Sequence, residues 1–219
     1  MIKQHILVTV DNVIFTVIQD RLEVLLVKRD IEPFKNQWSI PWWFVLETED
    51  CEVAAYRELR EKTNVKDVYL EQLYTFSDVK RDSRGRVITV AYMALVTREN
   101  IVINAWAYTS EAKFFPVKSL PKLGFDHKKI IEYAIQRLQW KMEYTNVSQY
   151  ILPNKFTLSE LQKVYEIVLN KTFDVRNFRK KIDSLHIIKP TGEKEIGVQY
   201  RPAKLYKFIN KKIDIVEIL

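Results

Sequence analysis

The sequence predicts two domains of different class: an α/β domain over residues 1–150 and a smaller α+β domain over residues 151–219. Three observations lead there. In the first part, runs rich in β-branched residues alternate with two helical stretches. In the second, a helix, a turn, a second helix and a hairpin follow one another. Charge is also divided unevenly: residues 153–219 hold 14 Lys and Arg against 8 Asp and Glu, a net +6 out of the chain's +7. A nearly neutral part joined to a basic part suggests two tasks, because a basic face concentrates polyanions and favours phosphate contacts.

Residues 6–18 and 22–28 read as two strands around a turn at 19–21. Residues 49–63 read as a helix with Val53, Ala54 and Leu59 toward a core. Segments 67–77, 87–97 and 112–117 read as further strands, and Asp126 as the N-cap of a long helix over 127–143,. The polar stretch 144–155, with Pro153, reads as the domain boundary,. No apolar run reaches the roughly 20 residues of a membrane helix, and Met1–Val10 lacks the pattern of a signal peptide,. Cys51 is the only cysteine, so no internal disulfide or cysteine metal cluster forms,. A cytoplasmic protein with no membrane partner is expected. His5, His127 and His186 are too dispersed for a metal site and read as structural.

Beyond the boundary, Thr157-Leu-Ser-Glu160 is a capping box that starts a helix to about Leu169,. Asp174 caps a second helix to about Leu185, whose Val175, Phe178, Ile182 and Leu185 share one face,. Arg176, Asn177 and Lys180 lie opposite, with Arg179 and Lys181 on the flanks. A short strand at His186–Ile188, a loop with Pro190, Gly192, Gly197 and Pro202, and a strand at Lys204–Phe208 complete the order of a winged helix-turn-helix. Such a helix suits the major groove: arginine pairs with guanine, asparagine with adenine, and lysines hold phosphates. Arg201 and Lys204 sit where a wing would reach the backbone or minor groove. A protein-docking domain with a solvated basic helix is the plainer alternative.

Residues 41–65, PWWFVLETEDCEVAAYRELREKTNV, resemble the Nudix box, whose pattern is G-x5-E-x7-R-E-U-x-E-E-x-G-U with U aliphatic. Glu49, Arg57, Glu58, Leu59, Glu61 and Val65 fall on their places. The resemblance covers about residues 5–140 and implies an α/β/α sandwich around a mixed sheet. Three positions depart from it: Trp43 and Asn64 replace glycines, and Lys62 replaces the last glutamate. Trp42 stands where the neighbouring residue is usually glycine as well. Box carboxylates hold magnesium against a pyrophosphate in active members, and a hard cation needs several oxygens. An ammonium at position 62 puts positive charge where metal belongs. No catalytic residue, metal or cofactor is therefore assigned, and hydrolysis is not expected. The indoles crowd the close approach that glycine permits. Trp43 reads as packing, and Trp42 as packing or as a stacking surface. Trp42, Trp43, Glu49, Glu58, Glu61, Arg81 and Arg86 are the candidate effector contacts.

The layout as a whole resembles the NrtR-type bacterial regulators, through PNKFTLSELQKVYE, NFRKKID, RPAKLYKF, RDSRGRVITVAYMAL and the FDH at 125–127. It implies a homodimeric repressor that binds a palindromic DNA operator and responds to ADP-ribose, a related product of NAD metabolism, or a sugar. Two alternatives stay open: a divergent magnesium-dependent Nudix hydrolase of a nucleoside diphosphate derivative, and a sensor whose winged helix binds protein.

Overall fold

A computed structural model describes residues 5–63, 68–97, 99, 108–197, 199 and 201–218, with the side chains of residues 62 and 63 left out. The chain forms two compact units: Met1–Thr16 with Glu23–Val96 and Asn100–Ile135, and Val17–Leu22 with Thr97–Glu99 and Gln136–Leu219.

The first unit is built on a sheet that, among the described residues, has seven strands. They are β1 (Leu7–Ile18), β2 (Arg21–Arg29), β3 (Trp38–Ser39), β4 (Trp42–Phe44), β5 (Tyr69–Phe76), β6 (Val87–Leu95) and β7 (Thr109–Pro116). Their order is β3-β2-β1-β6-β5, with β4 also on β1 and β7 also on β2. β1 runs parallel to β6, whereas β4, β3, β7 and β5 run antiparallel to their partners. The sheet is thus mixed. The middle of β1 is buried without alternation from Thr9 to Thr16, as a strand covered on both faces requires.

Helix α1 (Cys51–Thr63) begins two residues later than its sequence suggests. Asp50 caps it, accepting the Val53 N–H at 2.9 Å. Ala54, Ala55 and Leu59 turn inward against Val10, Ile14, Leu25 and Ala94. Val53, expected in the core, is 52% exposed instead. The inward stripe runs through 54, 55, 58 and 59, and Val53 lies off its edge. Asp126 precedes α2 (His127–Tyr144) as expected, but its carboxylate is taken by Arg81. Strands β3 and β4 are too short to carry a sequence pattern and were not anticipated.

In the second unit, the stretch read as irregular holds a 3-10 turn at Val147–Tyr150. Val147, Ser148, Ile151 and Leu152 are buried there, so it belongs to a core. Helix α3 (Leu158–Leu169) starts with both halves of the predicted capping box: Thr157 Oγ1 accepts from Glu160 N, and Glu160 Oε2 accepts from Thr157 N. Its fully buried Tyr165 packs on Phe178 of α4 (Val175–Leu185). Asp174 caps α4 as predicted. Val175, expected on the apolar face, is largely exposed at the first turn.

The first wing strand departs from expectation. β8 spans Ile188–Lys194 rather than His186–Ile188 and pairs with β9 (Lys204–Phe208). His186 instead closes α4 in a left-handed conformation, φ 52°. Pro190 and Gly192 lie within β8 because a two-stranded ribbon is all edge, where proline and an irregular ladder are tolerated. The register shifts between Pro190 and Lys194, and Gly192 has φ +84°.

Candidate ligand cleft and nucleic-acid interface

The cleft of the first unit, open solvent at its mouth included, spans about 490 Å³. Its aromatic lining is Trp42, Trp43 and Phe44 of β4 together with Tyr108, the residue before β7. Trp43 stacks on Tyr108 with ring centroids 5.6 Å apart and planes 14° from parallel. Trp42 is edge-on to Phe44 and Phe125 and lies under two guanidiniums, Arg29 at 5.4 Å and Arg84 at 5.2 Å. Both indoles are half-buried and pack on neighbouring rings, Trp42 edge-on and Trp43 stacked.

Arg84 is anchored by Asp82 through two hydrogen bonds of 3.0 and 2.7 Å. Burial works to raise Asp82, but its bonds with Arg84 outweigh burial and hold the carboxyl below its ordinary range. Arg29 comes from the end of β2 and is buried. Burial, and secondly the like charge of Arg84, lower its pKa from the usual guanidinium value. Beside the cleft runs a buried ionic strut. Arg81 donates to Asp11 on β1 at 3.0 Å and to both oxygens of Asp126 at 2.9 and 3.1 Å. Burial pushes Asp11 up to about 7, despite Arg81. Burial, with Arg81 and Arg29 nearby, lowers His127 well below 6.5. Its Nδ1 accepts the Ile40 N–H at 3.3 Å.

Of the residues chosen from sequence, Trp42 and Trp43 line the cleft. Glu49 and Glu58 meet at Arg57, which holds each at 2.6 Å. Arg57, mainly through its hydrogen bond, lowers Glu49. Glu61 is half-buried on α1. Arg81 is committed to its two carboxylates and only 4% exposed. Arg86 reaches back across the β5–β6 turn to the Ser77 carbonyl at 2.7 Å. The Lys62 side chain and Asn64 lie outside the described residues. Sequence reasoning missed Arg29, Arg84, Phe125 and Tyr108. Arg84 carried a local signal, sitting between the two arginines that were chosen, and Phe125 lies in the FDH segment that carried the family resemblance.

In the second unit, α4 buries Phe178 and Ile182 and exposes Arg176, Asn177, Arg179 and Lys180, with Lys181 half-buried. Arg179 Nη2 approaches Ser159 Oγ at 3.5 Å, so the start of α3 lies beside this basic face. In the wing, Lys189 is paired with Lys207, and Lys194 with Lys204. Like charges directly opposite are unfavourable in isolation, and a polyanion relieves them. Arg201 and Lys204 are exposed there, as expected.

Residues 149–208 match the NrtR DNA-binding winged helix domain family, and residues 8–134 match the NUDIX domain family. The chain is 36% identical over 218 residues to the ADPR responsive transcriptional repressor NtrR of Acinetobacter baylyi, covering 95% of this chain and 84% of that one. It is similar to the crystal structure of Shewanella oneidensis NrtR complexed with a 27mer DNA: TM-score 0.83, 38% identity, 92% of this chain and 93% of that one. The NUDIX domain of the same Shewanella protein, complexed with ADP ribose, is 40% identical, with TM-score 0.58 over 62% of this chain and 90% of that one.

Proposed function

Since this chain belongs to the NrtR family, whose members join a Nudix domain to a DNA-binding winged helix, we propose that it is a transcriptional repressor that responds to ADP-ribose. The observation that carries this is α4: one capped helix fixed by Phe178 and Ile182, with its arginines, asparagine and lysine left to solvent.

Arg176, Asn177 and Lys180 read base edges, while Arg179, Lys181, Arg201 and Lys204 hold phosphates. The protein acts as a homodimer on a palindromic operator, so that two α4 helices meet successive major grooves about one helical turn apart. ADP-ribose occupies the cleft at Trp42, Trp43, Arg84 and Tyr108. It releases the operator because one state of the protein binds it better than the other. Arg81 positions β1 against α2, and Arg86 secures the loop that carries Arg84.

The protein does not hydrolyse its effector. Magnesium is the metal that the Nudix fold implies, and the donor set here fits it poorly. Arg57 occupies Glu49 and Glu58, an amine stands at position 62, and an indole replaces the glycine at 43.

The test is a mobility-shift assay with DNA that the full-length protein selects from a random pool. Arg176→Ala with Lys180→Ala is expected to weaken binding at least about 30-fold, since each good base contact is worth roughly 1–3 kcal/mol. Unchanged affinity would remove α4 from the interface. Affinity that ignores salt would point instead to a protein partner.

A further inference from the structure

We propose that Arg29 and Ser39 form a phosphoryl-binding floor in the cleft, a deepening that rests on the ADP-ribose reading above. Arg29 closes β2, and Ser39 lies on the neighbouring antiparallel strand β3, opposite Val27. Residues directly opposite share a face, as do alternate residues along a strand. Val27, Arg29 and Ser39 therefore present side chains to the same side of the sheet, and all three line the cleft.

Each polar group there is incompletely satisfied. Ser39 is fully buried, and its hydroxyl has no hydrogen-bond partner among the described residues. Arg29 is 4% exposed. Its Nε donates to the Pro33 carbonyl at 2.8 Å and its Nη2 to the Ile31 carbonyl at 3.3 Å. Those are neutral acceptors, and among the described residues no carboxylate lies within ion-pair distance of it. Its guanidinium lies over the rings of Trp42 and Phe125, and two carboxylates act on it only from a distance: Asp82 is engaged by Arg84, Glu32 is exposed to solvent, and no acid lines the cleft. A buried guanidinium without a contacting carboxylate is costly, and so is a buried hydroxyl without a partner. One tetrahedral anion relieves both, taking the charge from Arg29 and a hydrogen bond from Ser39. A neutral base or sugar ring suits the aromatic wall at Trp43 and Tyr108 better. The floor therefore selects phosphoryl oxygens, and it holds them with arginine, where a Nudix hydrolase uses divalent metal.

The test is calorimetric titration of the full-length protein with ADP-ribose, inorganic pyrophosphate and adenosine, each in chelator. Arg29→Met is expected to weaken ADP-ribose and pyrophosphate at least 30-fold and to leave adenosine within 3-fold. Ser39→Ala is expected to weaken the same two ligands about 5-fold. Its melting temperature should be unchanged or higher, because it deletes a buried hydroxyl that lacks a partner. That pairing of effects separates a binding role from a structural one, should Arg29→Met fold poorly. Three outcomes overturn the floor: ADP-ribose binding that ignores both substitutions, adenosine losing as much as ADP-ribose, or pyrophosphate failing to bind. If pyrophosphate binds through Arg29 and Ser39 while ADP-ribose does not bind at all, the floor stands and the effector assignment falls.

Discussion

The two units treat charge in opposite ways. In the first, Asp11, Arg29, Glu58, Arg81, Asp82 and His127 are buried among a mixed sheet and its helices. In the second, the described charged side chains stay at least partly exposed, and those buried are neutral: Thr145, Asn146, Ser148, Thr157 and Gln162. Charge taken inside has fixed partners and fixed direction, so it can shape a cleft for one small guest. Charge left outside is adaptable and attracts an extended polyanion. A repressor that answers a metabolite needs both, and here each unit supplies one.

The sharpest way to break this contrast is to remove an inward charge. Arg81→Met strands Asp11 and Asp126, and breaking a buried ionic network costs about 3–5 kcal/mol. Thermal unfolding should show a large fall, and a wild-type melting temperature would mean the strut is ornamental. The outward charges should behave differently: Arg176→Ala with Lys180→Ala should change unfolding free energy by no more than about 0.5 kcal/mol per site, even as operator binding collapses. Between these lies Thr157→Ala. It removes half of a formed capping box and should cost about 1 kcal/mol in urea unfolding; no change would mean the box is redundant.

The remaining effect is a slope. Asp11 is raised from 3.8 to about 7, so the folded chain holds that proton more tightly. Its contribution to stability is complete below pH 3.8 and is lost as pH rises through 7. His127, lowered below 6.5, works the other way, contributing above 6.5 and losing as pH falls through its folded value. Asp11→Asn should remove the first trend and keep the second. Its melting temperature should therefore gain on wild type from pH 4 to 7, and parallel profiles would contradict the assignment.

The same contrast explains what the sequence made legible. The α4 face could be read because helical periodicity is local, and both caps lie three residues from the N–H they satisfy. The buried network could not. Asp11 and Arg81 are 70 residues apart, Arg81 and Asp126 are 45, and Ile40 and His127 are 87. Only the sheet order brings them together. Arg29 lies just past the strand read over 22–28, and its partners are carbonyls in the loop that follows. The Nudix resemblance pointed to the cleft through Trp42 and Trp43, which line it, whereas Glu49 and Glu58 are taken up by Arg57. It could not name the rings on which they pack, since Phe125 and Tyr108 come from later in the chain. The wing's first strand was misplaced because Pro190 and Gly192 read as loop residues, a rule that an isolated ribbon does not obey.

A single titration bears on the whole account. Full-length protein bound to its selected operator is mixed with magnesium and rising ADP-ribose, and each point is divided between a mobility-shift gel and chromatography of the nucleotide. Release of the DNA with ADP-ribose recovered intact is the predicted result. DNA that stays bound at saturating ADP-ribose, or conversion of the nucleotide to AMP and ribose 5-phosphate, would contradict it.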